Sequence, residues 1–476
     1  MDLVLEIDGR SGLATQVYGG LREALRSARL KAGDKLPASR ELARQLGVSR
    51  NTIIEAYERL VSEGYLLGRI GSGTYVSDHG AIPDGAAIRA SMLAPRLSGF
   101  ARRLGEPGAI VPHRNLPYDF RPGVPELDYF PIDLWRRITA RQLRRLSKTV
   151  AYYGDPAGDS DLREAIARYI GQSRSVRCGA EDIMITSGSQ QALDLAARVL
   201  VEPGDMVVME EPGYPAAMAV FKAAGARVIP VPVDEEGIRV DRMPARARMA
   251  YVTPSHQFPL GVPLSLARRR GLLEWARRCG AVIVEDDYDS EFRFAGRPLE
   301  SLQGLDRDGL VVYLGTFSKV LFPGLRLGYV AAGPALRRHM LAAKWLTDRN
   351  TETIEQQAMA NFIRDGHFNR YMRKMQRVYG QRRAVLLRAL ARWAADWLEP
   401  LPSLAGLHHA AFAAKFDVET LIARAGQTGV GLYSIAPFYQ ARPRAGLLFG
   451  YGACPSHEIE EGIRRMANVY HSMRAA

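Results

Sequence analysis

Between Gln16 and Leu30 the apolar residues fall at Val17, Leu21, Leu25 and Leu30, close to the helical period, so the spacing predicts an amphipathic helix. Gly33-Asp34-Lys35-Leu36-Pro37 interrupts it. Ser39 then offers an N-cap with Glu41 in the first turn, predicting a second helix over Arg40 to Leu46 that stops at Gly47. Ser49 is another N-cap, followed by a helical run with Ile53, Ile54, Tyr57, Leu60 and Val61 on its buried side. Two short helices across a glycine-containing turn make a helix-turn-helix. The first side chains of its second helix meet base edges and phosphates. Here they are Ser49, Arg50, Asn51 and Thr52, all hydrogen-bonding types. Two short β-prone runs from Leu66 to Val76 surround Gly71-Ser72-Gly73, predicting a hairpin wing with Arg69 near phosphate or minor groove. No strand-then-helix context surrounds these glycines, so the hairpin is a stronger reading than a nucleotide loop.

From Ile183 the pattern changes to short apolar runs alternating with helical ones. Ile183 to Thr186, Met206 to Met209, Val228 to Val231, Ala250 to Val252, Ala281 to Val284, Val311 to Leu314 and Gly328 to Ala331 read as buried strands. Helices such as Gln190 to Leu200 and Ser265 to Arg278 separate several of them. This βα alternation predicts an α/β fold with a mainly parallel sheet covered on both faces. Between the two regions, His79 to Arg114 has no sustained period and is rich in Gly, Pro, Ala and Arg. A structureless stretch of that length belongs between domains rather than inside one. The expected organisation is a winged helix-turn-helix over 1–78, a linker over 79–115 and a larger α/β region over 116–476.

Composition narrows the class. A chain of 476 residues, 47% hydrophobic and 24% charged, is a soluble globular protein of two or three domains. Its N-terminus carries acids where a secretory signal would carry bases, and no apolar run reaches the ~18 residues of a membrane span, so the expected compartment is the cytoplasm with no membrane partner. Cys178, Cys279 and Cys454 lack ligand-like spacing, which argues against a disulfide framework or a zinc site. The net charge of +13 points to an acidic partner such as nucleic acid. Residues 1 to 78 nevertheless hold 11 basic and 10 acidic residues, so any DNA-reading charge there must be grouped on one face.

Ligands of open parallel sheets gather at the carboxyl ends of the strands, which directs attention to the polar residues after each run. After the first come Ser187-Gly188-Ser189-Gln190, a phosphate cradle at a helix N-terminus or simply a cap. After the fifth comes Glu285-Asp286-Asp287-Tyr288-Asp289-Ser290-Glu291. Acid clusters at strand ends bind metals, but no histidine adjoins this one in sequence, and a single buried aspartate facing a ring nitrogen is an equal reading. After the sixth come Thr316, Ser318 and Lys319, with Arg326 seven residues beyond the lysine. An amine at a buried strand end can be desolvated enough to condense with an aldehyde, and an arginine fork can hold a phosphate. Phosphate cradle, carboxylate, lysine and arginine together are the set that pyridoxal 5′-phosphate needs.

Two sets of motifs carry a resemblance. Gly33-Asp34-Lys35-Leu36-Pro37-Ala38-Ser39-Arg40, Leu46-Gly47-Val48-Ser49-Arg50 and Glu63-Gly64-Tyr65 resemble the winged helix of the GntR regulators. Tyr153-Gly154-Asp155-Pro156-Ala157-Gly158, Gly188-Ser189-Gln190-Gln191-Ala192-Leu193-Asp194, Glu211-Pro212-Gly213-Tyr214-Pro215, Thr253-Pro254-Ser255-His256-Gln257-Phe258-Pro259, Glu285 to Phe292, and Gly315-Thr316-Phe317-Ser318-Lys319 through Arg326 resemble the fold-type I aminotransferases over about 117 to 452. In this order the chain resembles the MocR-type subgroup of GntR regulators, whose small C-terminal subdomain is α+β. The resemblance implies that double-stranded DNA is a partner and that Arg40, Arg50 and Thr52 face it. It implies pyridoxal 5′-phosphate as cofactor, with Lys319 bonded to its aldehyde, Asp286 on its pyridine nitrogen, Tyr288 donating to its ring oxygen and Tyr214 stacked on the ring. Gly188, Ser189, Gln190, Thr316, Ser318 and Arg326 would hold the phosphate. Tyr153 would reach the phosphate of the partner in a homodimer that exchanges DNA-binding domains head to tail. Relatives control vitamin B6 synthesis or the use of amino compounds; the residues do not choose among effectors.

Two positions depart from the aminotransferase pattern. Phe258-Pro259-Leu260-Gly261 stands where enzymes commonly carry Asn-Pro-Thr-Gly, removing an amide that assists the ring oxygen. His256 stands in for it or is simply packed. Near Leu448, where the enzymes usually place a carboxylate-binding arginine, the strand Gly446 to Tyr451 is apolar, and Arg442 and Arg444 just upstream are the candidates for an effector's acid group. The expectation is therefore a regulator that senses pyridoxal phosphate or an amino compound without efficient transamination, the alternative being a working aminotransferase. Arg364 to Arg392 also holds nine basic residues and one acid, either a solvated helix face or a second, sequence-blind DNA surface.

Overall fold

A computed structural model describes residues 5, 7–8, 12–78, 96–105, 116–144, 152–296, 299–414 and 416–475. The chain separates into two compact units, Met1–Arg96 and Leu97–Ala476. Most of the expected linker lies outside the described residues. Its described part includes a short helix, Gly99–Arg103, whose Arg103 Nε donates to the Ala223 carbonyl at 3.0 Å, so this piece packs on the larger unit.

In the smaller unit α1 (Leu13–Arg26), α2 (Ser39–Leu46) and α3 (Arg50–Ser62) precede an antiparallel hairpin of β1 (Leu66–Arg69) and β2 (Gly73–Val76), with Leu66 opposite Val76. The wing forms as expected, but three sequence expectations shift. Helix α1 ends before Leu30, which is still buried in the core from the following loop. Ser39 does not cap α2. Ala38 holds that position, and having no polar side-chain atom it makes no capping bond; Ser39 is the first residue of the helix, and its hydroxyl accepts from Arg50 Nε at 3.3 Å. On α3 the buried stripe is Ile53, Ala56, Tyr57 and Leu60, while Val61 is exposed. A stripe with that helical spacing leaves position 61 on its flank.

The larger unit is built on an eight-stranded sheet. Its strands in chain order are β3 (Ile183–Thr186), β4 (Met206–Glu211), β5 (Arg227–Asp234), β6 (Gly237–Ile238), β7 (Met249–Val252), β8 (Val282–Asp287), β9 (Val311–Thr316) and β10 (Gly328–Ala331). They lie in the order β3-β10-β9-β8-β7-β4-β5-β6. The pairs β9–β8, β8–β7, β7–β4 and β4–β5 are parallel, whereas β10 runs antiparallel to both neighbours and β6 antiparallel to β5. Strands β3, β7, β9 and β10 are buried along their whole length, as a doubly covered sheet requires. A smaller sheet joins Leu398–Pro400, His408–Ala413, Tyr433–Ser434 and Gly446–Gly450, beside the 27-residue helix His367–Trp393. The expected α/β architecture with a smaller α+β subdomain is the one observed.

Candidate functional site

The carboxyl ends of β7, β8 and β9 surround a cavity of about 320 Å³. From β8, Asp286 enters the lining, and from β9 and the turn after it come Thr316, Ser318 and Lys319. Parallel pairing sets Leu314 opposite Asp286 and Gly315 opposite Asp287, so the acidic and basic strand ends finish side by side. Ser189, Tyr214, Thr253, Phe258 and Tyr288 also line the cavity.

Asp286 is buried, and only one of its oxygens is satisfied. Oδ2 accepts from the Tyr251 hydroxyl at 2.7 Å, whereas Oδ1 has no partner among the described residues. Burial pushes its pKa up to about 6, against the Tyr251 hydrogen bond. Lys319 Nζ donates to the Gly123 carbonyl at 2.9 Å. Burial lowers its proton affinity, helped by the charge of Arg121 and opposed by Asp289 and Asp286. The Tyr214 hydroxyl is raised to about 12 by burial and by Asp286.

The phosphate-type corner lies at the start of the helix Ser189–Leu200. Gly188 precedes it with φ 78°, a conformation that favours glycine, and a Cβ there would crowd the Arg326 guanidinium at 3.0 Å. Arg326 Nη2 donates to the Ser187 carbonyl at 2.7 Å. Gln191, which reaches the Ser187 amide at 2.8 Å, is itself held by Asp348. Thr316 and Ser318 are tied by a bond from the Ser318 amide to Thr316 Oγ1 at 3.1 Å. These residues fit pyridoxal 5′-phosphate. The bare Asp286 Oδ1 would take the pyridine N–H, the Lys319 amine would meet the aldehyde, and the Gly188–Arg326 corner with Ser189, Thr316 and Ser318 would suit the phosphate.

Several predicted residues stand elsewhere. Gln190 is exposed and outside the cavity lining. Tyr153 is 76% exposed, with the Arg349 guanidinium 4.7 Å above its ring. His256 is behind the wall rather than in it. Its Nδ1 lies 3.0 Å from Asp289 and from the Tyr288 hydroxyl, and its Nε2 3.2 Å from Ser403 Oγ. Tyr288 lines the cavity while its hydroxyl also donates to the His256 carbonyl at 2.9 Å. The acid cluster therefore has histidines after all: donor atoms of His256, Asp289 and His408 lie within 4.8 Å of one another. Their hydrogen bonds are met inside the protein, Asp289 by His256 and the Leu407 amide, and His408 by the Pro259 carbonyl.

At the two departures from the aminotransferase pattern the structure is apolar. Phe258 packs edge-on against Tyr214, Tyr288, His408 and Phe438, with centroids 5.1 to 6.0 Å apart. Leu448 is fully buried in a cluster with Leu260, Ala410, Phe412, Ile435 and Phe438. Arg442 and Arg444 are exposed and do not line the cavity, and the Arg444 guanidinium stacks 3.4 Å from the Phe412 ring centre. Sequence reasoning missed Tyr251, Thr253 and Arg121. A tyrosine in a wholly buried strand needs a hydroxyl partner, and that was the available signal for Tyr251; Arg121 lies in no motif.

In the smaller unit Arg40, Ser49, Arg50, Asn51 and Arg69 are exposed, and Thr52 is half-buried. Ser49 Oγ accepts from the Thr52 amide at 3.1 Å and caps α3, whose first turn presents Arg50 and Asn51. Arg69 lies over the Tyr75 ring at 5.0 Å on the wing.

Comparison with known proteins agrees with both units. Residues 124–413 match the aminotransferase class I and II family, and residues 13–76 match the bacterial regulatory proteins of the gntR family. The chain is 37% identical over 482 residues to the probable rhizopine catabolism regulatory protein MocR of Rhizobium meliloti, covering 100% of this chain and 97% of that one. It is 30% identical over 444 residues to the pyridoxine biosynthesis transcriptional regulator PdxR of Corynebacterium glutamicum, covering 93% and 92%. Among solved structures, the α-aminoadipate aminotransferase LysN of Thermus thermophilus, complexed with N-(5′-phosphopyridoxyl)-L-leucine, superposes with a TM-score of 0.71 at 29% identity, covering 80% of this chain and 98% of that one. The chain belongs to the MocR-type subgroup of the GntR family, DNA-binding transcription regulators in which a winged helix is joined to a pyridoxal-phosphate-dependent, aminotransferase-like domain.

Proposed function

We propose that this regulator senses an amino compound at its pyridoxal phosphate site and passes that state to the winged helices of a homodimer. The ligand must favour one arrangement of the dimer over another to do so. When bound, the cofactor supplies an electrophilic carbon that a primary amine can capture reversibly. Lys319 would hold the cofactor and give way to an incoming amine, and its burial, which lowers the amine's proton affinity, favours the neutral, nucleophilic form. Asp286 would orient the ring through its free Oδ1, Tyr214 would stack on it and Tyr288 would donate to its oxygen. Turnover further requires the substrate acid to be clamped while a proton moves, and the observation that carries the sensor reading is the apolar cluster around Leu448 and Phe258 where enzymes have polar partners. The exposure of Tyr153 supports its role toward a partner subunit's phosphate in a head-to-tail dimer.

An intact Lys319 amine keeps a second reading in play, a working aminotransferase with a fused DNA-binding domain. The cofactor-loaded protein separates the two. A visible band abolished in Lys319→Ala, shifted by amino compounds without catalytic keto-acid formation, supports the sensor. Many turnovers of keto acid with an amino donor and an acceptor would establish the enzyme instead.

A further inference from the structure

The cofactor cavity and the linker sit at the two ends of one helix. Tyr214, which lines the cavity, is the N-cap of the helix Pro215–Ala224. The ten residues of that helix span about 15 Å. Toward its far end Phe221 is buried against Tyr251, with ring centroids 6.0 Å apart, and the Tyr251 hydroxyl is the donor to Asp286 at 2.7 Å. The cavity therefore touches this helix twice, at its start through Tyr214 and near its end through the Asp286–Tyr251 pair. Beyond Ala224 the chain turns at Gly225, whose φ is 96°. The Gly225 and Ala226 amides close back on the Lys222 and Phe221 carbonyls, and the Arg227 amide turns to Asp205. The Ala223 carbonyl, one of the acceptors that a helix C-terminus leaves without an amide, is taken by Arg103 Nε of the linker piece at 3.0 Å. A guanidinium there also meets the negative end of the helix dipole.

The linker piece is shaped to hold that arginine. Ser98 Oγ caps the short helix Gly99–Arg103 by accepting from the Ala101 amide at 3.1 Å, and Arg102 Nη1 donates to the Leu97 carbonyl at 2.7 Å. A Cβ on Gly225 would lie 3.3 Å from the Arg103 guanidinium carbon, so the side chain is seated against the turn that ends the longer helix. Among the described residues, the bond to Ala223 is the one hydrogen bond from residues 97–105 to the rest of the larger unit. Toward the N-terminus the chain runs on from Leu97 to the DNA-binding unit. A hydrogen-bonded helix is stiff, so a shift imposed at Tyr214 or Tyr251 reaches its far end, where a single exposed contact can make or break.

We infer that the helix Pro215–Ala224 carries the state of the cofactor site to the linker, and that the Arg103–Ala223 contact is where the linker receives it. This rests on the sensing reading above and names the route of its regulation; Arg103 is a positioning residue, remote from the reacting atoms. The test uses the full-length, cofactor-loaded protein and a DNA sequence it selects from a random pool, with ethylamine, L-alanine, γ-aminobutyrate and taurine as probes. A probe that shifts the cofactor's absorbance should change the DNA affinity of the wild type at least about fivefold, and saturating DNA should change the affinity for that probe by the same factor. Arg103→Ala should keep the absorbance response while shrinking both effects to less than about twofold, and Arg103→Lys should restore part of them, since a cation without the fork remains at the helix end. Arg102→Ala removes the same charge from the linker but spares the Ala223 contact, and should keep both effects. Undiminished effects in Arg103→Ala, an equal loss in Arg102→Ala, or loss of the absorbance response itself in Arg103→Ala would overturn the route while leaving amine sensing intact. A wild type whose cofactor responds to none of the probes, or whose response leaves DNA affinity unchanged, would remove the sensing regulator and this route with it.

Discussion

Asp286 is enclosed by protein, yet only one of its oxygens has a donor among the described residues. In the cofactor-free protein its pKa of about 6, against an ordinary 3.8, means that the folded state takes up a proton that the unfolded state does not. The folded state therefore binds more protons between about pH 6 and 4, and the stability contribution of this group rises as pH falls through that window. Asp286→Asn carries no such charge, so any stability advantage it has over wild type at pH 7 should shrink by on the order of 2 kcal/mol by pH 4, at 1.36 kcal/mol per pKa unit. Urea unfolding of both apoproteins across that range checks it, and a difference independent of pH would contradict the assignment. Lys319, Asp286, Gly188 and Ser189 were legible in the sequence because each sits in a local motif at a strand end. Tyr251 was not, because its value depends on sheet order: β7 lies beside β8, with Tyr251 opposite Val284, two residues before Asp286. His256 is separated from Asp289 by 33 residues, and only the fold turns a motif histidine into a support for Tyr288.

Among the elements, α3 depends on its cap. Ser49 satisfies the Thr52 amide, so Ser49→Ala should cost about 1 kcal/mol of stability in the DNA-binding unit, measurable by thermal or urea unfolding. Arg50→Ala should leave that stability nearly unchanged and weaken DNA binding, because its side chain is exposed at the presenting end of the helix. The helix-turn-helix and the wing were readable from spacing and glycine placement, whereas the cap of α2 was not: the helix begins at Ser39 itself, one residue before the local rule starts it, so Ala38 takes the cap position. The strand Gly446–Gly450 makes the opposite case. Its apolar character was evident, but which residues fill the space of the missing arginine needed the tertiary packing of Leu448 against Phe412 and Phe438. Leu448→Arg should not restore an enzyme. It would bury a guanidinium without a partner and cost about 3 kcal/mol or more.

At the scale of the whole molecule, the α/β architecture and the division into two units followed from a change of hydrophobic period along the chain. The fate of the basic run did not, since charge counting ignores burial. Arg382 is buried and bound to Glu126, whereas Arg370, Arg373, Lys374 and Arg377 are exposed along the helix His367–Trp393 and have no carboxylate partner among the described residues. Reversing three of them should flatten the salt dependence of DNA binding if this face meets phosphates, and an unchanged slope assigns it to solvent. Coupling of an amine-responsive cofactor to DNA within one chain is the step on which the regulator reading depends. It is tested most directly by measuring the affinity of the cofactor-loaded protein for a DNA sequence it selects from a random pool, with and without an amino compound that shifts the cofactor's absorbance, while keto acid is assayed in the same samples. A change of at least about fivefold is expected, absent in Lys319→Ala and without accumulating keto acid; an affinity indifferent to the compound, or keto acid formed over many turnovers, would contradict the coupling.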